Sequence, residues 1–99
     1  MINSLEHYDK AFESKIRLQV MSVLAVHEHF EFGSFKELLE VTDGNLATHL
    51  RHLEKLGYIK AHKQFVGRKP NTTYKATTTG KKAFSKHLEA LELIIKKNH

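Results

Sequence analysis

Leucines at positions 46, 50 and 53 recur at i, i+4 and i+7, and polar residues fill most positions between them. At about 100° per residue the three leucines fall within roughly 60° on a helix, with His49 and Leu56 at the edge. The opposite side carries Gly44, Asn45, Thr48, Arg51, His52 and Lys55, and no acid. Local chemistry bounds this helix at both ends. Thr42 is a good N-cap, Asp43 suits the first turn, and Val41 with Leu46 forms a hydrophobic staple. Gly57 can take the left-handed conformation that ends a helix, with Leu53 and Tyr58 placed for the accompanying contact. These signals predict a helix over about 43–56.

The same periodicity predicts further elements. Leu5, Tyr8 and Phe12 make one stripe of a short helix over 3–13, and Ile16, Val20, Val23, Leu24 and Val26 the apolar face of another over 14–27. Residues 28–33, EHFEFG, break the pattern and fit a short extended piece. SFKE at 34–37 matches a capping box, with Ser34 as cap and Glu37 reaching back, so a short helix runs from there to near Val41 with Phe35, Leu38 and Leu39 inward. Two helices joined this closely form a helix-turn-helix candidate. Residues 58–66 and 72–78 are β-branched and aromatic and flank GRKPN, a hairpin with a basic tip. Pro70 is placed in that tip because it cannot donate to a strand ladder. A last helix starts with Thr77 as N-cap, has Gly80 in its first turn and runs to about 97.

That last helix is strongly apolar. Phe84, Leu88, Leu91 and Ile95 form a stripe broadened by Ile94. A 99-residue chain is one domain by length, 1–99, and has only a modest core. Joining this stripe to Leu5, Tyr8 and Phe12 across a two-fold axis predicts a homodimer, with 1–13 and 77–97 as dimerisation elements. Packing of both helices within one monomer is the alternative.

Charge sharpens the picture. Residues 1–43 hold four basic and eight acidic residues, 44–87 hold ten basic residues and one acid, Glu54, and 88–99 hold two of each. A middle segment this one-sided points to a polyanionic partner, against the plainer reading of a solvated lysine-rich surface. Cysteine is absent, which excludes disulfides, zinc–thiolate sites and thiol nucleophiles. No basic-then-apolar leader and no membrane-length apolar run is visible, so a cytoplasmic protein without a membrane partner is expected. No glycine-rich phosphate loop or nucleophile turn is present, so no catalytic residue, enzyme activity or cofactor is expected. The eight histidines include His27-x-His29 and His49-x-x-His52, but nothing nearby completes a ligand set, and no metal site is assigned. Histidine charge would instead raise affinity for a polyanion from about pH 8 to 6.

Two stretches, TDGNLATHLRHLEKLGYIK and FVGRKPNTTYKATTTGKKA, resemble the winged helix-turn-helix transcriptional regulators, closest to the MarR-like and ArsR-like group. The second is similar to that family's GR-x-P-x-T-x-Y-x-x-T-x-x-G run, and the resemblance spans about residues 14–90. It implies an α+β fold, mostly α, with a two-stranded β wing and additional N- and C-terminal helices. It also implies a homodimer on double-stranded DNA, recognition helices in successive major grooves and wings in the flanking minor grooves. Carried over by position, Gly44, Asn45, Ala47, Thr48, Arg51, His52 and Lys55 would serve the major groove, and Arg68, Lys69 and Thr72 the wing. Many relatives have Ser-Arg where this chain has Ala47-Thr48, so an arginine–guanine contact is missing there. The expected function is a sequence-specific transcriptional regulator whose effector, if any, the sequence does not name. The alternatives are a nonspecific, chromatin-like nucleic-acid binder and a winged-helix protein-interaction module. Each phosphate contact should steepen the log–log salt dependence of binding by ~0.9.

Overall fold

The computed structural model describes residues 7–97. A 3₁₀ turn, Lys10–Glu13, leads into helix α1, Lys15–Val26. Strand β1, Phe30–Glu31, passes directly into helix α2, Phe32–Leu39, and helix α3, Asp43–Lys55, comes next. Strands β2, Ile59–Val66, and β3, Lys69–Ala76, form the hairpin, and helix α4 is Thr78–Lys97. The α+β, mostly helical architecture is as expected. The sheet has three antiparallel strands in the order β1-β3-β2, so β1 adds to the expected pair.

The core is built around α1. Val20, Met21 and Leu24 bury against Phe35 of α2, Leu46, Leu50 and Leu53 of α3, and Ile59 and Tyr74 of the sheet. Phe12 and Phe84 close the cluster, their rings edge to face at 5.5 Å. Ser14 starts α1, its hydroxyl accepting the Arg17 N–H at 3.3 Å.

Three expectations are corrected. Leu5 and the rest of 1–6 lie outside the described residues, and over the described part of 3–13 the expected helix is a single 3₁₀ turn. Asp9 sets that turn: its side chain accepts the Ala11 N–H at 2.9 Å, and its own N–H donates to Nδ1 of His87 at 3.0 Å. Second, Ser34 lies inside α2 and caps nothing. Phe30 pairs with Tyr74 and Glu31 with Thr73, so the chain leaves the ladder straight into the helix, with Phe30 and Phe35 rings 4.6 Å apart. This helix ends at Glu40, which takes a left-handed φ of 51°. Third, Pro70 belongs to β3 and faces Phe65. The reversal needs only Gly67 and Arg68, with Val66 and Lys69 closing the ladder. The next pair of an antiparallel ladder is a non-hydrogen-bonded one, so the N–H that proline lacks has no ladder partner to lose.

Two glycines fix how α3 joins its neighbours. Gly57, at φ 77°, donates to the Glu54 carbonyl at 2.9 Å while Tyr58 N–H donates to Leu53 at 3.0 Å, the paired bonds of a Schellman stop. Thr77 caps α4 by accepting the Gly80 N–H at 2.9 Å, and its hydroxyl donates to the Gly57 carbonyl at 2.6 Å. A side chain on Gly80 would stand 2.0 Å from the Tyr58 carbonyl oxygen, so only glycine admits this approach. The molecule is elongated, 57 × 25 × 21 Å. Gly80, Phe84, His87 and Ala90 of α4 are buried, while Leu88, Leu93 and Ile95 are exposed. Among the described residues no helix is long and apolar enough to cross a membrane.

Candidate nucleic-acid interface

α3 has the two faces its periodicity predicts. Leu46, Leu50 and Leu53 are fully buried. Gly44, Asn45, Thr48, Arg51, His52 and Lys55 are exposed, and Ala47 is half-buried at the margin. Thr42 accepts the Asn45 N–H at 3.2 Å, which fixes the first turn. Lys36 of α2 meets Asp43 at 2.7 Å, so the acid at the head of α3 faces a cation. Both partners are well exposed, and such a pair is worth only about 0–1 kcal/mol.

The outward side chains differ in what they offer. Thr48 donates its hydroxyl to the Gly44 carbonyl at 2.9 Å, leaving lone pairs and a methyl group outward. Arg51, Lys55, Arg68 and Lys69 enter no ion pair among the described residues. Arg68 is the second residue of the hairpin turn and Lys69 the first of β3, both exposed. Thr72 is half-buried lower on the ribbon, opposite Lys63, and stands apart from that tip. The Schellman stop passes α3 directly into β2, so helix and ribbon are tied through ordered backbone.

His49 belongs behind the face. It is half-buried, and its Nδ1 lies 3.0 Å from Nη1 of Arg17. An arginine only donates, so Nδ1 accepts and the ring proton sits on Nε2. Burial first, then the charges of Arg17 and His52, hold His49 below the ordinary histidine value of 6.5. Arg17 also donates from Nε to the Ala11 carbonyl at 2.6 Å. The sequence marks this arginine only by its place inside an apolar helix, IRLQVMSVLAV.

Tyr58 anchors the end of α3 from the other side. Its hydroxyl donates to Oδ2 of Asp9. Burial, with the Asp9 hydrogen bond and charge, pushes its pKa up to about 12. His87 is buried between Tyr8 and Phe12, with ring centroids at 4.7 and 5.1 Å. Burial lowers its pKa, against the opposing pull of Asp9 and Glu13. Tyr8, Phe12 and Phe84, expected at a subunit interface, thus pack within one chain. The part of the predicted stripe left uncovered is Leu88 and Ile95, with Leu91 and Ile94 half-buried. His27 packs on Phe30 at 5.1 Å and His29 lies 3.8 Å from Glu28. Among the described residues no three His, Asp or Glu converge on a metal position.

Comparison with known proteins matches this geometry. A family model described as a winged helix DNA-binding domain fits residues 16–95. An uncharacterized protein from Methanocaldococcus jannaschii is 36% identical over 85 residues, which is 85% of this chain and 92% of that protein. A solved structure of a transcriptional regulator homologue from Pyrococcus horikoshii superposes with a TM-score of 0.87 at 26% identity, covering 97% of each chain. HlyU from Vibrio cholerae shares the fold, with a TM-score of 0.61 at 22% identity over 77% of this chain and 78% of that one.

Proposed function

The chain belongs to the winged helix DNA-binding domain family, and from that premise we propose that it is a dimeric, sequence-specific transcriptional regulator. In this reading α3 enters the major groove and the hairpin tip the minor groove. The observation that carries it is the outward face of α3: Asn45, Thr48, Arg51, His52 and Lys55 exposed together, without an acid, while the three leucines behind them are buried. Phosphate contacts from Arg51, Lys55, Arg68 and Lys69 set register and most of the affinity, and Asn45, Thr48 and His52 read base edges. The P. horikoshii neighbour, described as a transcriptional regulator homologue, supports regulation as the output.

The dimer is proposed from α4. Leu88, Leu91 and Ile95 recur at i, i+3 and i+7 along its C-terminal half, and Leu88 and Ile95 are well exposed. A second copy of the same helix would cover them by self-complementary packing. The function is binding, with no catalytic step and no bound cofactor or metal, and the setting is the cytoplasm.

Selection of bound duplexes from a random pool at physiological salt tests the reading. Enrichment of a palindrome with half-sites about one helical turn apart, ~34 Å, is expected. A second reading, nonspecific duplex binding, is favoured by one observation: Ala47 and the inward hydrogen bond of Thr48 leave few donors for base edges. A pool that gains affinity without gaining a sequence would establish that reading instead.

A further inference from the structure

The hairpin ends in apolar surface that phosphate binding does not use. Phe65 is 74% exposed and Val66 61%, immediately before the Gly67–Arg68 turn. Phe65 lies opposite Pro70 in the ladder. Directly opposed residues share a face of an antiparallel pair, so ring and proline stand side by side. Lower down, that face carries Ala61 and Tyr74 and packs on the core. β1 reaches β3 only at Thr73 and Tyr74, so beyond that point the hairpin is a two-stranded ribbon. From the Lys63–Thr72 pair to the Val66–Lys69 pair the ribbon extends by about 10 Å at the usual strand rise. The surroundings are cationic: Lys63, Arg68 and Lys69 are exposed, and no acid occurs between residues 55 and 88.

An exposed aromatic ring framed by cations suits a partner that is anionic outside and apolar within. A duplex is such a partner when its minor groove is opened and its base stack reached. We propose that Phe65, backed by Pro70, is a wedge that enters the minor groove and partly unstacks one base step. Arg68 and Lys69 hold the phosphates on either side. Apolar wedges of this kind kink a duplex toward the major groove, at a cost smallest for the flexible TA and CA/TG steps. Phe65 would therefore give the chain a preference in the flank of its site without any hydrogen bond to a base. This rests on the reading of the chain as a duplex DNA binder, and it adds a specificity residue and a bent product.

The test uses a duplex taken from the wild-type enriched pool, end-labelled for energy transfer, with 2-aminopurine replacing adenine at the flanking steps. Wild type, F65A, F65L and R68A are compared, with far-UV circular dichroism verifying that each is folded. The wild type should shorten the end-to-end distance and raise 2-aminopurine fluorescence. F65A should bind about tenfold more weakly and lose both signals, the scale expected for losing most of a buried phenyl ring. F65L should keep part of each signal, and R68A should bind weakly yet still bend the duplex at saturation. F65A that binds and bends like wild type, while R68A is weakened, would overturn the wedge and leave the DNA-binding reading standing. A wild type that binds no duplex would overturn both.

Discussion

The polar groups that brace α3 and those it presents outward are treated in opposite ways. Behind the helix, polar side chains bond to one another and to the backbone. Arg17 bridges the Ala11 carbonyl and His49, Asp9 receives the Ala11 N–H and the Tyr58 hydroxyl, and His87 accepts from Asp9. No buried side-chain polar atom among the described residues lacks a hydrogen bond. On the outward side Arg51, His52, Lys55, Arg68 and Lys69 are exposed and outside any ion pair among the described residues. The contrast between Arg17 and Arg51 shows what the fold asks of the same side chain. One arginine, half-buried and bonded twice, fixes the frame, and the other is held available for a partner.

This contrast can be broken at several points. The largest effect is expected where α4 meets the end of α3. Gly80→Ala places a methyl group against the Tyr58 backbone and should lower stability by about 3 kcal/mol in urea unfolding. A variant as stable as wild type would show that this junction is soft. Asp9→Ala removes the acceptor of the Tyr58 hydroxyl and of the Ala11 N–H, and should cost about 2 kcal/mol. Base preference in a duplex selection should be unchanged; an altered preference would mean that the brace and the presented face are not separable. Thr48→Ala inverts the pattern. Melting temperature should stay put, and preference should shift at one base position per half-site by about 1 kcal/mol. Equal weakening on every sequence would remove Thr48 from the base-reading set.

The smallest expected effect is in pH. Burial holds both His49 and His87 below the unfolded value, so the unfolded chain binds more protons in the window beneath 6.5. Stability is then intact above about pH 6.5 and falls as pH drops from there toward the lowered folded values. Thermal unfolding between pH 7 and 5 should show this decline, and His87→Gln should make it shallower. An unchanged slope in that variant would mean that His87 does not titrate in this window.

What the sequence made legible is what is decided within a few residues. The Thr42 cap, the leucine spacing, the Gly57 stop and the Thr77–Gly80 start of α4 each involve neighbours along the chain, and each appears in place. Ser34 looks like a cap because its local pattern is sound, but pairing of Phe30 with Tyr74 begins the helix earlier. Pro70 looks like a turn residue because the ladder register, which spares its missing N–H, is not visible locally. The brace is invisible for the same reason: Asp9 and His87 are 78 positions apart, and Arg17 and His49 are 32 apart. Phe65 is hidden differently. In a strand pattern an aromatic reads as core, and only the projecting ribbon reveals it as surface.

The most direct measurement of the central claim is the salt dependence of duplex binding for wild type, R51A and R68A, monitored by fluorescence anisotropy across a range of potassium chloride. If the outward face of α3 and the hairpin tip lie on phosphates, each substitution should reduce the slope of log affinity against log salt by ~0.9 for every phosphate it ceases to neutralise, doubled in a dimer. Melting temperatures of the variants should match wild type. Slopes that stay at the wild-type value in both variants would contradict the account, because the charges held outward would then be facing something other than the duplex.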